Sequence, residues 1–345
     1  MDSISQAVLG ACVGELILGK KWGNKAQLWG AIAGTIPDLD VLANLFTHDE
    51  ILRLQIHRSW THAAFIQALF AWGFAKLSVR WSQKTEISFN RWYAFWFLGF
   101  FTHAILDCFT TYGTQLLLPF SNVLIGFNNI AVADPFWTLP FMLLLLVSLF
   151  IRKTNPWRLR FAWSGMAWAL IYMAWTFSNK WEVHQRFHKE LSQQNIIVDE
   201  ISTTPSILNN WLWSCIATTA DTLYVAETTL LNKNAPIHFS RYPRNLQLLS
   251  EHPNQHDIDV LNWFGQGKTI AEMRSDTLRF FAVKWGRFSY AHEDAERAFG
   301  IYWILAKDGQ SFPAHQMQPR LNGSDFGKLW TDLESRVRGE KVAEN

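Results

Sequence analysis

The chain has 345 residues, a formal net charge of +2, 49% hydrophobic residues and 17% charged residues. The near-neutral charge gives no argument for a nucleic-acid partner. Three cysteines without CxxC spacing give neither a disulfide framework nor a cysteine metal site. Charged residues are scarcer than the roughly 25% of ordinary soluble domains. Because apolar runs stop near residue 177, we predict two domains, a helical membrane domain at 1–179 and a soluble domain at 180–345.

Apolar runs in the first half predict an all-α polytopic membrane domain of about six helices. Four runs approach the ~17–25 residues that cross a hydrocarbon core. Two earlier runs are shorter and either barely span or form a re-entrant pair. The four long runs are 63–79, 92–109, 136–151 and 161–177, and the two short runs are 4–18 and 28–42.

Loop charges predict the orientation of these segments. The loops at 19–27, 80–91 and 152–160 carry ten Lys and Arg residues, whereas the loops at 43–62 and 111–134 carry two. Basic loops stay in the cytoplasm. We therefore expect a multi-pass protein of the bacterial inner membrane, with membrane lipids as partners and the C-terminal domain outside the cytoplasm.

The second half predicts a soluble α+β domain with an antiparallel sheet. Alternating, aromatic-rich runs bounded by turn residues are typical of strands. We predict strands at 211–218, 222–229, 277–285 and 299–306, and helices at 243–255 and 257–265.

Polar side chains inside the apolar segments mark a candidate functional site. Such residues are costly in a membrane and are functional candidates by default. With the predicted orientation, all of them lie on the outer side. Taken singly, each has an ordinary structural explanation, but together at one depth they predict a metal site. They are Asp2, Gln6, Asp38, Asp40, His57, His62, His103, Asp107 and Asp134.

The spacing of His103 and Asp107 favours a shared metal ion. Residues four apart on a helix have neighbouring side chains, so this pair can bind one ion from two directions. His57 and His62 are five positions apart, which is too many for one helical face and fits a turn. Imidazole and carboxylate together are ligands of zinc and similar divalent ions.

The motif set resembles the bacterial inner-membrane metal-dependent hydrolases over about the first 150 residues. This family is distantly similar to zinc-dependent phospholipase C and to the S1/P1 nucleases. Many members have a histidine where this chain has Gln6. The motifs are Asp2…Gln6, Pro37-Asp38-Leu39-Asp40, His57-Arg58…Thr61-His62 and Thr102-His103…Leu106-Asp107…Thr110.

The resemblance implies that five of these residues hold one or more divalent ions, and zinc is the first candidate for that ion. They are Asp38, His57, His62, His103 and Asp107. Asp2, Gln6 and Asp134 are additional candidates. We predict a membrane-bound hydrolase that acts on an ester or phosphoester, and in one version of this prediction the substrate is linked to a lipid. Asp40 is predicted to be the general base, and Arg58 is predicted to bind a phosphate oxygen. The alternatives are a non-catalytic metal-binding or transport protein and a structural anchor.

Overall fold

The computed structural model describes residues 1–82, 86–250, 252–287, 299, 301–307, 310–317 and 323–340. The chain divides into two compact units. The first comprises Met1–His48 and Gln55–Thr176 and is helical. The second comprises Asp49–Leu54 and Phe177–Asn345 and contains two β-sheets.

Seven α-helices and two 3-10 helices form the described part of the chain up to residue 193, and α7 contributes residues to both units. The 3-10 helices are Ile36–Leu45 and Trp60–His62. The α-helices are α1 Ser3–Trp22, α2 Asn24–Thr35, α3 Glu50–Ile56, α4 Ala64–Trp81, α5 Phe89–Cys108, α6 Pro135–Leu149 and α7 Pro156–Gln193.

Glycines bring α1 and α2 into backbone contact. Gly10 and Gly14 lie one turn apart on α1 and face Gly30 and Gly34 on α2. A Cβ atom at Gly10 would lie 2.3 Å from the Gly30 carbonyl oxygen, so only glycine permits this approach. The contact fixes the C-terminal end of α2, from which the 3-10 helix Ile36–Leu45 continues.

Two apolar clusters fill the first unit. One joins α1, α6 and the start of α7, with Trp137 and Phe141 fully buried at its centre. The other joins α4 and α5, where Ala71 and Ala75 leave room for the buried rings of Trp92 and Phe95. Alternating small and large side chains let these helices interdigitate at close-packed density.

A buried ion pair ties α1 to the start of α7. Arg158 Nε donates to Glu15 Oε1 at 2.6 Å, and its NH2 group donates to Glu15 Oε2 at 2.5 Å. Gln27 Nε2 donates to Glu15 Oε2 at 2.9 Å and to Ser148 Oγ at 2.7 Å. The remaining Arg158 nitrogen donates to Asn24 Oδ1 at 2.6 Å. These bonds explain how an acidic residue lies deep in an apolar helix.

The predicted polytopic membrane domain is wrong. Helices α4, α5, α6 and α7 do occupy the places of the four long apolar runs. Nevertheless, among the described residues no helix is both long and apolar enough to cross a membrane.

Length and charge explain this correction. Helix α6 has 15 residues, or roughly 22 Å at 1.5 Å per residue, which is short of the ~30 Å hydrocarbon core. Helix α4 contains Lys76 and Arg80, and α5 contains Asp107 in its last turn. Counting apolar runs gave too little weight to these side chains.

Among its described residues, the second unit contains two four-stranded antiparallel sheets and two further α-helices. The first sheet has the order β1-β2-β3-β4 and the second β5-β6-β7-β8. The strands are β1 Glu200–Pro205, β2 Leu212–Thr218, β3 Thr222–Thr229, β4 Ser240–Pro243, β5 Thr269–Arg274, β6 Thr277–Ala282, β7 Tyr302–Lys307 and β8 Gln310–Met317, and the helices are α8 Gln255–Gly265 and α9 Gly323–Arg338.

The first sheet is buried on both faces within this unit. Val183 and Phe187 of α7 pack on the face that carries Trp213 and Cys215. The opposite face, with Ile216 and Val225 among its residues, packs on the second sheet. Every residue of β2 is consequently buried.

The described strands overlap each of the four predicted ones. The prediction missed β1, β4, β5 and β8, which carry weaker alternation. Residue 300 of the predicted strand 299–306, and residue 251 of the predicted helix 243–255, lie outside the described residues. A short 3-10 helix, Leu246–Leu249, stands in the region of that helix.

The glycine contact predicts opposite effects for the same substitution at two helical positions. Gly10→Ala should lower the free energy of unfolding by about 1–3 kcal/mol, because the methyl group forces α1 and α2 apart. Gly73→Ala in α4 meets no atom within 4 Å and should be neutral or stabilise by up to about 1 kcal/mol. Urea unfolding of the two variants and wild type measures both effects, and equal changes would contradict the close approach.

Candidate metal centre

Four side chains from three elements converge in the first unit. Asp38 extends from the 3-10 helix Ile36–Leu45, and His62 ends the short 3-10 helix at Trp60–His62. His103 and Asp107 occupy successive turns of α5. One ligand atom from each of the four lies within 4.8 Å of the other three.

The distances between these atoms match a small cation with tetrahedral coordination. His62 Nε2 lies 3.1 Å from His103 Nε2, 3.5 Å from Asp38 Oδ1 and 3.2 Å from Asp107 Oδ2. His103 Nε2 lies 3.3 Å from Asp38 Oδ1 and 3.5 Å from Asp107 Oδ2. Tetrahedral zinc with bonds of about 2.0–2.1 Å places its ligand atoms about 3.3–3.4 Å apart.

Hydrogen bonds on the outer nitrogens turn both imidazoles toward the centre of the group. His103 Nδ1 lies 2.6 Å from the Gly34 carbonyl oxygen, which only accepts, so this nitrogen carries the proton. In its neutral form, His103 therefore presents an Nε2 lone pair to the group. His62 Nδ1 lies 3.0 Å from Thr61 Oγ1, and its Nε2 also faces inward. Such outer bonds commonly fix the tautomer of metal-binding histidines.

The ionisable groups of this cluster shift one another's pKa values. Burial lowers the pKa of His103, but the neighbouring carboxylates of Asp107 and Asp38 outweigh burial and raise this pKa to about 9. Burial raises the pKa of Asp107, yet its positive neighbours hold the pKa well below the ordinary value. Asp107 Oδ2 is buried and makes no hydrogen bond among the described residues. A metal ion would supply the positive charge that this oxygen lacks.

The other oxygen of Asp107 is surrounded by donors. Gln6 Nε2 donates to Oδ1 at 2.9 Å, and Arg58 NH2 lies 3.2 Å from it. The Met1 amino group also contacts Oδ1. Arg58 is itself buried and donates from NH1 to Thr110 Oγ1 at 2.9 Å. Gln6 and Arg58 thus orient a candidate ligand, and the guanidinium is engaged with protein groups.

The structure places His57 and Asp40 beside the four-residue group rather than within it. His57 Nδ1 lies 3.1 Å from Asp40 Oδ1. Asp40 Oδ2 accepts from the Arg58 backbone N–H at 2.7 Å and from Thr61 Oγ1 at 3.4 Å. The chain reverses at Arg58, whose φ of 57° is a left-handed conformation. Asp40 therefore holds together the loop that carries His57 and His62.

Two of the additional candidates cap helices. Asp2 accepts from the Ile4 and Ser5 backbone N–H groups at the start of α1. Asp134 accepts from the N–H groups at the start of α6 and from Tyr172 Oη at 2.9 Å. Neither belongs to the four-residue group. Asp before Pro135 is a recognisable cap signal in the sequence.

The role of the Gly34 carbonyl as an acceptor for His103 was not predicted from the sequence. The available signal was the spacing of Gly10 and Gly14 against Gly30 and Gly34, which predicts a close helix pair. That pair brings a backbone carbonyl of α2 within reach of α5. The structure also gives Thr61 and Thr110 of the quoted motifs a hydrogen bond each to a site residue.

A family model described as YdjM inner membrane protein matches residues 1–183, which is more than half of the chain. The chain therefore belongs to this family of inner membrane proteins. The matched region contains all four converging residues and every other candidate from the sequence. No curated protein and no solved structure matches the chain. The expectation of an inner-membrane family is confirmed, and the family description says nothing about hydrolysis.

The capping contacts predict a stability effect without an effect on metal. Asp134→Ala should lower the free energy of unfolding by about 1 kcal/mol through loss of the cap. The protein should still take up as much zinc as wild type, because the four converging residues are intact. Thermal unfolding and elemental analysis of the zinc-equilibrated protein measure the two effects. Loss of zinc uptake in Asp134→Ala would make Asp134 a ligand instead.

Proposed function

We propose that the first unit is a membrane-bound, metal-dependent hydrolase that cleaves an ester or phosphoester. The observation that carries this proposal is the convergence of Asp38, His62, His103 and Asp107 within 4.8 Å. Three of the four are buried, and their inward atoms have the spacing of a cation's ligands. Buried charges at such density are uncommon without a compensating ion.

Zinc fits the donor atoms best. Two imidazole nitrogens and two carboxylate oxygens form a mixed set that zinc accepts and that calcium and magnesium do not favour. The separations of 3.1–3.5 Å also suit bonds of zinc length. When bound in a site with an open position, zinc lowers the pKa of a water and polarises a carbonyl or phosphoryl oxygen.

Asp38 is where the group meets solvent. Its side chain is 27% exposed, whereas those of His62, His103 and Asp107 are 0% exposed. A substrate that reaches the group must therefore approach along the 3-10 helix Ile36–Leu45. As the most exposed of the four candidate ligands, Asp38 is also the one best placed to move aside for a substrate oxygen.

The approach to Asp38 is apolar, which favours a substrate with a lipid part. The surrounding surface of the 3-10 helix would contact acyl chains, and exposed apolar side chains on α4 and α6 would contact membrane lipids. Membership of an inner-membrane family supports this choice. The exposed side chains are Leu39, Val41, Leu42 and Leu45 on the 3-10 helix, Phe65, Leu69, Phe70 and Trp72 on α4, and Phe136, Leu139, Leu143 and Leu146 on α6.

A non-catalytic metal site is the second candidate, and one observation favours it. Four protein ligands would fill all the positions of a tetrahedral zinc ion, and closed four-ligand zinc sites are usually structural, whereas catalytic sites keep a position open. Such a site would store, sense or pass on a metal ion without chemistry. Turnover separates the two candidates, because both require the ion.

Metal binding should stabilise the protein through these ligands. Zinc bound only to the folded state adds about 2.7 kcal/mol at a hundredfold excess over Kd. A chelator should therefore lower the melting temperature of wild type and of His48→Ala, an exposed histidine outside the group. It should leave His103→Ala unchanged, because that variant lacks one ligand. Equal shifts in all three proteins would place the metal elsewhere.

Activity should depend on the charge of Asp107. Asp107→Asn keeps the shape of the side chain but removes the negative charge that holds the ion. The variant should lose most hydrolysis of bis(4-nitrophenyl) phosphate or of a 4-nitrophenyl ester by the zinc-loaded full chain. Asp49→Asn, an exposed acidic residue outside the group, serves as the control. A wild-type rate in Asp107→Asn would refute the hydrolase proposal, and a zinc-bound wild type without turnover would favour the non-catalytic site.

A further inference from the structure

Asp40 connects a solvent-facing histidine to the metal group. Its Oδ1 lies 3.1 Å from His57 Nδ1, while its Oδ2 lies 3.7 Å from Nδ1 of the candidate ligand His62. Thr61 Oγ1 lies between Asp40 Oδ2 and His62 Nδ1, at 3.4 Å and 3.0 Å. The buried Asp40 carboxylate therefore lies near the Nδ1 atoms of two imidazoles, those of His57 and His62. Only His62 turns its other nitrogen into the four-residue group.

The contact with Asp40 sets the tautomer of His57. A carboxylate oxygen only accepts, so the proton of neutral His57 lies on Nδ1 and the lone pair lies on Nε2. The backbone supports this arrangement, because the Arg58 N–H fixes the other Asp40 oxygen at 2.7 Å. A carboxylate that orients an imidazole in this way is the arrangement of many general bases.

The side chain of His57 is partly exposed. The side chain is 34% exposed, against 3% for Asp40. No described residue forms a hydrogen bond with His57 Nε2, and the ring otherwise contacts Tyr112 edge-to-face at 5.0 Å between centroids. Among these residues, His57 and Asp38 are thus the two with partly exposed side chains.

We propose that His57 is the proton-transfer residue of this site and that Asp40 is its positioning residue. The inference rests on the proposed hydrolase function. It exchanges the roles that the sequence suggested, in which His57 was a ligand and Asp40 the base.

The reaction balances with one imidazole. For a phosphodiester, a water oxygen bonds to phosphorus while the bond from phosphorus to the leaving oxygen breaks, and the leaving oxygen keeps that electron pair. His57 Nε2 takes one proton from the water and returns it to the leaving oxygen. The products are an alcohol and a phosphomonoester, and His57 ends neutral, as it began.

The first test separates a base from a ligand by metal content and turnover together. The zinc-loaded full chain is assayed with bis(4-nitrophenyl) phosphate. His57→Ala should retain zinc and lose kcat by about 100-fold or more, with KM nearly unchanged. Added imidazole should restore part of the rate, because the position is open to solvent. His48→Ala should match wild type, whereas His103→Ala should lose both zinc and activity.

A second measurement does not depend on turnover. In ¹⁵N-histidine spectra of the full chain, the His57 signals are those missing from His57→Gln. Wild-type His57 should show a protonated Nδ1, and Asp40→Asn should shift the proton to Nε2, because the amide donates to Nδ1. Asp40→Asn should also lose kcat while keeping zinc.

The outcomes assign failure to one proposal or the other. A zinc-loaded wild type that cleaves neither the diester nor an ester overturns the proposed function and, with it, the base. An active wild type with His57→Ala at the same kcat overturns only the base. Zinc loss in His57→Ala makes His57 a ligand, and a protonated Nε2 in wild-type His57 refutes the role of Asp40.

Discussion

The contact between α1 and α2 is the constraint on which the candidate metal centre depends. Four glycines let the two backbones touch, and the contact sets where α2 ends. Gly34 is one of those glycines, and its carbonyl oxygen also fixes the His103 imidazole. Asp38 follows four residues later on the 3-10 helix. A packing device between two helices therefore determines both the tautomer of one candidate ligand and the position of another.

Charge balance organises the rest of the first unit. Asp107 has donors from Gln6 and Arg58 on one oxygen and an unsatisfied second oxygen toward the group. Glu15 is instead satisfied on both oxygens by Arg158 and Gln27. These two buried carboxylates thus differ in one respect: both oxygens of Glu15 accept hydrogen bonds, whereas Asp107 Oδ2 accepts none among the described residues.

Sequence patterns predicted those features that depend on local spacing. Residues four apart on α5 necessarily share a face, so the spacing alone was enough to pair His103 with Asp107. The partner of His57 could not be found in this way, because it depends on a left-handed turn at Arg58 and on a carboxylate 17 residues away. Asp2 and Asp134 could have been recognised from the sequence as helix caps, but they were instead predicted to be additional candidates for the metal site. The prediction of membrane-spanning helices was wrong because it relied on the length of the apolar runs. It gave too little weight to the length of the helices and to the charged residues within them.

The pairing of Glu15 with Arg158 also affects the order in which this chain can fold while it is being synthesised. The two residues are 143 positions apart, whereas all four converging residues of the metal group have been made by residue 107. A ribosome adds roughly 5–20 residues per second, so Glu15 waits several seconds or longer for its guanidinium. During that interval α1 carries an uncompensated acid beside the glycine contact with α2. A nascent chain can therefore bring the four candidate ligands together first. The helical unit gains the Glu15–Arg158 ion pair only once the start of α7 has emerged from the ribosome.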